Sequence, residues 1–435
     1  MSKTNLAIDF WQFVRRDLMR MLGFAMVFGL IKLSGFSAAL FLSNLMDIEA
    51  YATFEFALAA GLMLALPLNV GMQGAYPYFN LRLEKAGFTS IFYFHALWIG
   101  GSLLILLLLN QWFLSVLPLK FHMSILIGAI IALQVLFSAI LKSHEKIVKA
   151  VFLDGGMFLV VNLYLLYLLG FDKTFNFATF GNILLTYLAF LLLLFAVQYF
   201  QNKGDFSFHR YRQAIHYGKH LVLSSLLIIA ITNGARIFIE WFIDLTSVAY
   251  YAFYLRFALI LLMIQQVFLI SLFKKIYQSP PSLLDRYFAY FLMSILLIGL
   301  LLWCLVPMFL TNYFVLMQDS IEQYRDLFYI LCFHTIFWAG LAFNENIIHR
   351  EKLSTLMNHQ FFVLILGMVL LLFAWSQWSI LHLQHLAIVN LIVLFIAIEI
   401  QFHLLNSQRG FVLNRSRWAV RFCLSFFGLS YLWIS

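Results

Sequence analysis

Three cationic side chains lie inside apolar stretches of the sequence, where chemistry on an anionic ligand would take place. They are Lys32, Arg236 and Arg256, out of 28 Lys and Arg residues. A cation at the centre of a bilayer costs roughly 2.5–3.5 kcal/mol on insertion scales, so an acid or an anionic ligand must stabilise it. All three residues are therefore candidate contacts for an anionic ligand, and the guanidinium groups of Arg236 and Arg256 suit bidentate contact with phosphate.

The same cations also fit a structural role, in which neighbouring acids neutralise them. Glu240 lies one turn beyond Arg236, and the two can form an i,i+4 pair, although the acid-first order is more favourable. Such a pair leaves Arg256 without a partner in its local sequence. Lys32 lies about eleven residues into its segment, near the expected midplane, and would need an acid on another helix.

Three acids inside apolar segments are candidates for binding a coupling cation. They are Glu55, Glu240 and Glu399. A buried carboxyl group can take up a proton, because burial disfavours its charged form. Glu399 lies close to a basic loop, so an ion pair with that loop is its simpler alternative.

Membrane-spanning helices must position these residues, because the composition excludes an ordinary soluble chain. Hydrophobic residues make up 63% of the sequence and charged residues 11%, against roughly 45–50% and about 25% in soluble domains. A span needs about 20 apolar residues. Twelve segments meet this requirement: 21–45, 51–74, 90–110, 123–141, 151–170, 178–200, 221–243, 248–271, 287–309, 327–347, 358–378 and 384–405.

Basic residues cluster at every second gap between these segments, which is the positive-inside pattern of cytoplasmic loops. The pattern places the N-terminus in the cytoplasm. The net charge of +9 therefore reflects orientation in the membrane and contact with anionic lipid headgroups, and nucleic acid is not an expected partner.

The expected fold is an all-α polytopic membrane protein with about 12 transmembrane helices in two six-helix lobes. An interfacial helix at 4–18 is expected in the first segment, with a frayed tail as its alternative. Residues 418–434 are either a thirteenth span or a surface-lying helix. The predicted divisions are a cytoplasmic amphipathic segment at 1–20, lobes at 21–200 and 221–405, an inter-lobe linker at 201–220, and a basic and hydrophobic tail at 406–435.

A weak internal repeat relates the two halves. Residues 47–58 align with residues 244–255, so that Asp47 matches Asp244 and Phe56 matches Phe253. Each copy enters the second span of a six-span half. Since six is even, both halves insert in the same direction, which is the parallel-repeat plan of some transporters.

Local motifs for hydrolysis or metal binding are absent from the sequence. There is no G-x-x-x-x-G-K-[ST] phosphate loop, no H-E-x-x-H and no paired-cysteine motif. Cys304, Cys332 and Cys423 lie in apolar stretches, which indicates neither a disulfide framework nor a zinc site. These observations favour a transporter without cofactor or metal over a membrane enzyme.

Two stretches carry a family resemblance. The region from Gly29 to Phe79 contains LFLS at 40–43, DIEAY at 47–51 and NVGMQGAYPYF at 69–79, and Arg236 is followed by AYYAFYLR at 249–256. They resemble the starts of the two halves in Wzx-type polysaccharide flippases (O-antigen and lipid-linked oligosaccharide) of the multidrug/oligosaccharidyl-lipid/polysaccharide (MOP) exporter superfamily.

The resemblance implies a MOP/MATE-like fold in the bacterial inner membrane. It implies translocation of an undecaprenyl-diphosphate-linked oligosaccharide by alternating access, with Lys32, Arg236 and Arg256 lining the cavity. The implied partners are this lipid-linked glycan and membrane lipids, followed by a polysaccharide polymerase and chain-length machinery.

Two other functions stay open. A cation-coupled drug or metabolite exporter of the same superfamily predicts a more acidic cavity than three buried cations suggest. A membrane polysaccharide polymerase or ligase predicts a long exterior loop, whereas the longest exterior gap, 310–326, is modest.

Overall fold

The computed structural model describes residues 26–82, 88–144, 146–201 and 206–434, and every regular element in these ranges is helical. The interfacial helix predicted at 4–18 and the cytoplasmic segment predicted at 1–20 lie outside the described residues. The remaining predicted segments can be compared with observed helices.

The first half of the chain forms a series of long helices interrupted by short ones. Helix α1 spans Met26–Leu45 in the described residues. The helices that follow are α2 (Ile48–Asn69), α3 (Met72–Pro77), α4 (Thr89–Leu109), α5 (Leu119–Ser143), α6 (Ile147–Asp154), α7 (Gly156–Gly170) and α8 (Phe177–Gln201).

The second half repeats this alternation and adds a helix at its end. Its helices are α9 (Phe208–Asn233), α10 (Ala235–Phe242), α11 (Leu245–Ala258), α12 (Ile260–Gln278), α13 (Pro281–Leu310), α14 (Val315–Arg350), α15 (Ser354–Trp378), α16 (Leu383–Arg409) and α17 (Asn414–Ile434).

Each of the twelve predicted spans has a helical counterpart in the described residues. Ten helices are long and apolar enough to cross a membrane alone, and two more spans are bent pairs. The pairs are α6 with α7, bent by 55°, and α11 with the first part of α12, bent by 43°. The prediction of a multi-pass, all-α membrane protein is confirmed.

Two boundaries differ from the sequence prediction. The segment predicted at 221–243 is broken at Gly234, whose N–H reaches the carbonyls of both Ile229 and Ala230, and α10 starts directly after it. The gap at 310–326 is mostly helical. Helix α14 begins at Val315 and kinks at Tyr324, whereas the sequence predicts a span that starts only at residue 327.

Contacts between Cα positions divide the chain into two compact units. Unit 1 contains residues up to Phe41, together with Leu68–Leu114 and Ala129–Gly218. Unit 2 contains Leu42–Pro67, Ser115–Gly128 and the chain from Lys219 onwards. The lobes at 21–200 and 221–405, and the linker between them, stay a prediction.

Within unit 1, polar side chains and a glycine bring α1 against α7. The amide nitrogen of Asn162 donates to the carbonyl of Ser34 at 2.8 Å and to its hydroxyl at 3.0 Å. At the bend between α6 and α7, a Cβ added to Gly155 would lie 2.2 Å from Cγ2 of Ile31. Only glycine allows this close approach of α1 to the bend.

Within unit 2, α14 forms the centre of the core. It is the most buried spanning helix in the described residues, because 83% of its 18-residue apolar stretch is buried inside the protein. It packs against α11, α12, α13 and α16. Tyr254 on α11, for example, lies against Phe328 on α14 and hydrogen-bonds to Ser320 at 2.9 Å.

The C-terminal helix α17 lies alongside α13 and α14 rather than across their ends. Near its start, Ser416 donates through its N–H and its hydroxyl to Asp285 at the beginning of α13, both at 2.7 Å. Near its end, Ser430 hydrogen-bonds to Tyr329 on α14, at the opposite end of these helices. In the described residues, α17 is not among the helices that are long and apolar enough to cross a membrane, so both alternatives for 418–434 stay predictions.

Candidate functional site

Glu55 on α2 binds two arginines from other helices, Arg236 on α10 and Arg256 on α11. Its Oε2 accepts a hydrogen bond from Nη1 of Arg236 at 2.8 Å. Its Oε1 accepts from Nη2 of Arg256 at 2.8 Å and from Nε at 3.1 Å. We call these three residues the buried triad. All of them belong to unit 2, although α2 comes from the first half of the sequence.

Matching aspartates begin the helices that carry Glu55 and Arg256. Asp47 accepts a hydrogen bond from the N–H of Ala50 at 2.7 Å, and Asp244 accepts one from Ser247 at 2.6 Å. An oxygen at this position stabilises a helix start, because it satisfies a backbone N–H without an intrahelical partner. These aspartates are the aligned residues of the internal repeat, so the repeat has the same local role in both halves.

The buried triad is withdrawn from solvent and carries an excess of positive charge. The side chain of Glu55 is 0% exposed, and those of Arg236 and Arg256 are 5% and 11% exposed. Two guanidinium groups share one carboxylate, so one positive charge is not neutralised within the triad. The hydroxyl of Tyr51 donates a further hydrogen bond to Glu55 at 3.3 Å.

The triad also retains hydrogen-bonding capacity for an anion. Nε of Arg236 is buried and has no hydrogen-bond partner among the described residues. A buried donor without a partner costs about 1–3 kcal/mol. An anionic oxygen that reached this nitrogen would therefore be bound by both the unmatched charge and the free N–H group.

Glu240 does not pair with Arg236, and the expected i,i+4 pair is wrong. Glu240 instead forms an ion pair with Lys120 in the first turn of α5. The ammonium of Lys120 also lies 5.6 Å from the ring centroid of Phe56, next to Glu55. Lys120 lies between the predicted spans 90–110 and 123–141, and local sequence rules could not pair it with Glu240, which lies 120 positions away.

Lys32 lies in unit 1, in surroundings different from those expected. Its side chain is exposed, and its ammonium lies 5.4 Å from the ring centroid of Phe28. The acid whose charge acts on it is Asp154, which also forms a 2.8 Å ion pair with Lys142 in the last turn of α5. An acid on another helix therefore acts on Lys32, as its structural alternative predicts, and its midplane position stays a prediction.

Glu399 forms an ion pair, as its simpler alternative expects, in a second cluster of one acid and two arginines. Its carboxylate accepts from Nε of Arg417 at 2.7 Å and from Nε of Arg421 at 2.9 Å, both on α17. We call these residues the exposed triad, because the arginine side chains are 38% and 56% exposed. The basic partner is a helix rather than the expected loop.

In the part of the chain that the structure describes, no group of three His, Cys, Asp or Glu side chains is placed to hold a metal ion. Cys304 is exposed, Cys332 and Cys423 are buried, and all three are free thiols. The chemistry of the described sites is therefore that of guanidinium, ammonium and carboxylate groups.

The fold can be compared with solved structures. The chain resembles the inward-facing conformation of a multidrug resistance MATE family transporter of the MOP superfamily, with a TM-score of 0.57 and 16% identity. The match covers 86% of this chain and 93% of that chain. This chain has the MATE fold. The outward-facing conformation of a multidrug resistance MATE family transporter matches with a TM-score of 0.44 and 15% identity, over 87% and 92% of the two chains.

No protein-family model and no curated protein matches the sequence. The MATE fold accounts for the helical architecture at low sequence identity. It leaves the ligand of the buried triad to be inferred from the triad's own chemistry.

Proposed function

We propose that this chain is a flippase for undecaprenyl-diphosphate-linked oligosaccharide, an O-antigen, capsule or exopolysaccharide repeat unit, in the bacterial inner membrane. The buried triad carries the proposal, because it holds two guanidinium groups with only one carboxylate. Guanidinium groups bind phosphate oxygens bidentately, so the pair suits a diphosphate. The MATE fold and the resemblance of residues 29–79 and 249–256 to Wzx-type flippases support this class.

In this mechanism, Glu55 and the substrate diphosphate compete for the same two arginines. Without substrate, Glu55 pairs with both Arg236 and Arg256 and keeps α2 against α10 and α11. A diphosphate that reaches the arginines replaces Glu55, and the contact between helices of the two sequence halves is released. The return of Glu55 expels the diphosphate and restores the contact, so partner exchange drives alternating access.

Lys32 acts separately in this mechanism, as a contact for the diphosphate in unit 1. Glu55, Glu240 and Glu399 remain candidates for ion coupling, although cationic side chains hold each of them. A coupling ion is not required, because outward movement of an anion is favoured by about 2.3 kcal/mol per charge at 100 mV, inside negative. Polysaccharide polymerase and chain-length machinery would receive the product.

Replacing the whole triad by apolar residues tests the proposal without breaking the fold. Buried ionic triads are often exchanged for apolar residues of similar volume with little loss of stability, whereas removal of one member is destabilising. We expect Glu55→Leu/Arg236→Met/Arg256→Met to keep normal protein levels and to lose about tenfold or more of its transport of labelled lipid-linked oligosaccharide in proteoliposomes, since charge-assisted hydrogen bonds contribute about 1.5–3 kcal/mol each.

The control is Lys149→Met/Lys173→Met, which removes two exposed cations of unit 1. This variant should keep its transport unless general loss of charge impairs the protein. Unchanged transport in the triad variant would show that the triad is only structural. Uptake of a lipophilic cationic dye by the same proteoliposomes addresses the exporter alternative, and we expect none.

A further inference from the structure

A groove of about 670 Å³ lies between α15, α16 and α17, at the end of unit 2 that contains the exposed triad. Its polar lining includes His359, His403 and Arg417, and its apolar lining includes Leu364 and Ile396. The residues from α15 and α16 are spaced so that each helix contributes one face. The groove is distinct from the buried triad, which involves α2, α10 and α11.

The lining changes from polar to apolar along the helix axes. Because α15 and α16 are antiparallel neighbours, His359 and His403 share one end, and Leu364 and Ile396 lie deeper. At 1.5 Å per residue, Ile396 is about 10 Å from the level of His403. A phospholipid has the same order along its length, with a polar headgroup followed by acyl chains.

The charge at the groove favours an anionic headgroup. Glu399 binds Nε and Nη2 of both Arg417 and Arg421, and the exposed triad keeps one unmatched positive charge. Each guanidinium has five N–H donors, so the Nη1 group of each has donors that Glu399 does not use. Unlike those of the buried triad, these guanidinium groups are accessible from outside the protein.

The groove opens towards the apolar surface of α15. Only 17% of the 18-residue apolar stretch of α15 is buried inside the protein, which is the smallest share among the spanning helices in the described residues. Phe362 and Val363 are 55% and 56% exposed beside the groove. In a membrane these side chains contact lipid chains, so a lipid can enter sideways without crossing the protein.

We propose that this groove is a binding site for an anionic glycerophospholipid, with its phosphate at Arg417 and Arg421 and an acyl chain against Leu364 and Ile396. The site is separate from the transport site and its occupancy does not depend on the proposed flippase activity. Bound lipid fixes α17 to α15 and α16 on the side that the positive-inside pattern assigns to the cytoplasm.

Native mass spectrometry of the full-length protein can test this site, with phosphatidylglycerol and phosphatidylcholine of identical acyl chains as probes. We expect tighter binding of phosphatidylglycerol. In Glu399→Gln/Arg417→Gln/Arg421→Gln, one net positive charge is removed and the preference should fall about fivefold. In Ile396→Trp, which fills the groove without changing charge, binding of both lipids at this site should be lost.

The matched control is Lys142→Gln/Lys149→Gln, which removes two exposed cations from unit 1 and should keep the preference. If this control lost as much of the preference for phosphatidylglycerol as the triad variant, general surface charge would explain the effect and the proposal would be overturned. An unchanged preference in the triad variant, or unchanged binding in Ile396→Trp, would also overturn it. Displacement of phosphatidylglycerol by glycerol 3-phosphate alone would show that an acyl chain against Leu364 and Ile396 does not contribute to binding, and it would overturn the proposal.

Discussion

The buried triad and the exposed triad of unit 2 have the same composition but different surroundings. Each has two arginines on one glutamate, with arginine exposures of 5% and 11% in the first and 38% and 56% in the second. Buried charges must be paired, because water cannot replace a lost partner. Exposed charges can exchange partners with water or lipid at little cost. The same residues therefore form a tight interhelical contact in one place and an open binding surface in the other.

The largest difference should appear when each triad loses its glutamate. Glu55→Leu leaves two buried arginines without their acid and should lower the free energy of unfolding by about 3–5 kcal/mol. Glu399→Leu should cost about 1 kcal/mol or less, because solvent screens the exposed arginines. Denaturant unfolding of both variants in one detergent measures the difference, and equal losses would contradict the comparison.

A smaller effect should distinguish the triads by ligand binding. Glu399→Gln removes the carboxylate that competes for Arg417 and Arg421, so phosphatidylglycerol should bind about fivefold more tightly. Raising the salt concentration should reverse this gain, because exposed charges are screened. Affinity is measured at low and high salt, with Glu240→Gln as the control. A gain in affinity that does not depend on salt would show that the exposed charges of Arg417 and Arg421 do not cause it.

The smallest expected effect concerns the start of the helix that carries Arg256. Asp244→Ala removes the acceptor for the N–H of Ser247 and should cost about 1 kcal/mol. Asp244→Asn should cost much less, because asparagine caps a helix about as well. The thermal unfolding midpoints of the two variants measure this effect. Equal destabilisation by both would mean that the aspartate's charge, rather than its capping oxygen, supports the buried triad.

The spans could be predicted from sequence because the bilayer sets a minimum length of apolar helix. The bends could not be predicted with the same ease, because they depend on tertiary contacts. Gly155 is one example, since its close approach to Ile31 joins residues far apart in the sequence. The break at Gly234 is different, because Asn233 and Gly234 form a dipeptide typical of turns. The prediction of one apolar span at 221–243 passed over this local signal.

The candidate site was only partly predictable for the same reason. Arg236 and Arg256 stand out in sequence because arginine is rare within apolar segments. Their shared acid, Glu55, lies 181 and 201 positions away. The i,i+4 rule can rank local pairs, and it therefore selected Glu240 for Arg236. Partners on distant helices follow from packing, which a local rule does not contain.

The course of α17 determines where a fusion tag on this protein would emerge. Ser416 lies beside the start of α13, whereas Ser430 lies beside Tyr329 at the other end of the helices. The two ends of α17 are therefore about 30 Å apart along the helix bundle. A reporter attached beyond Ile434 and one inserted between α16 and α17 would report on opposite compartments if α17 spans the membrane, and on the same compartment if it lies on the surface.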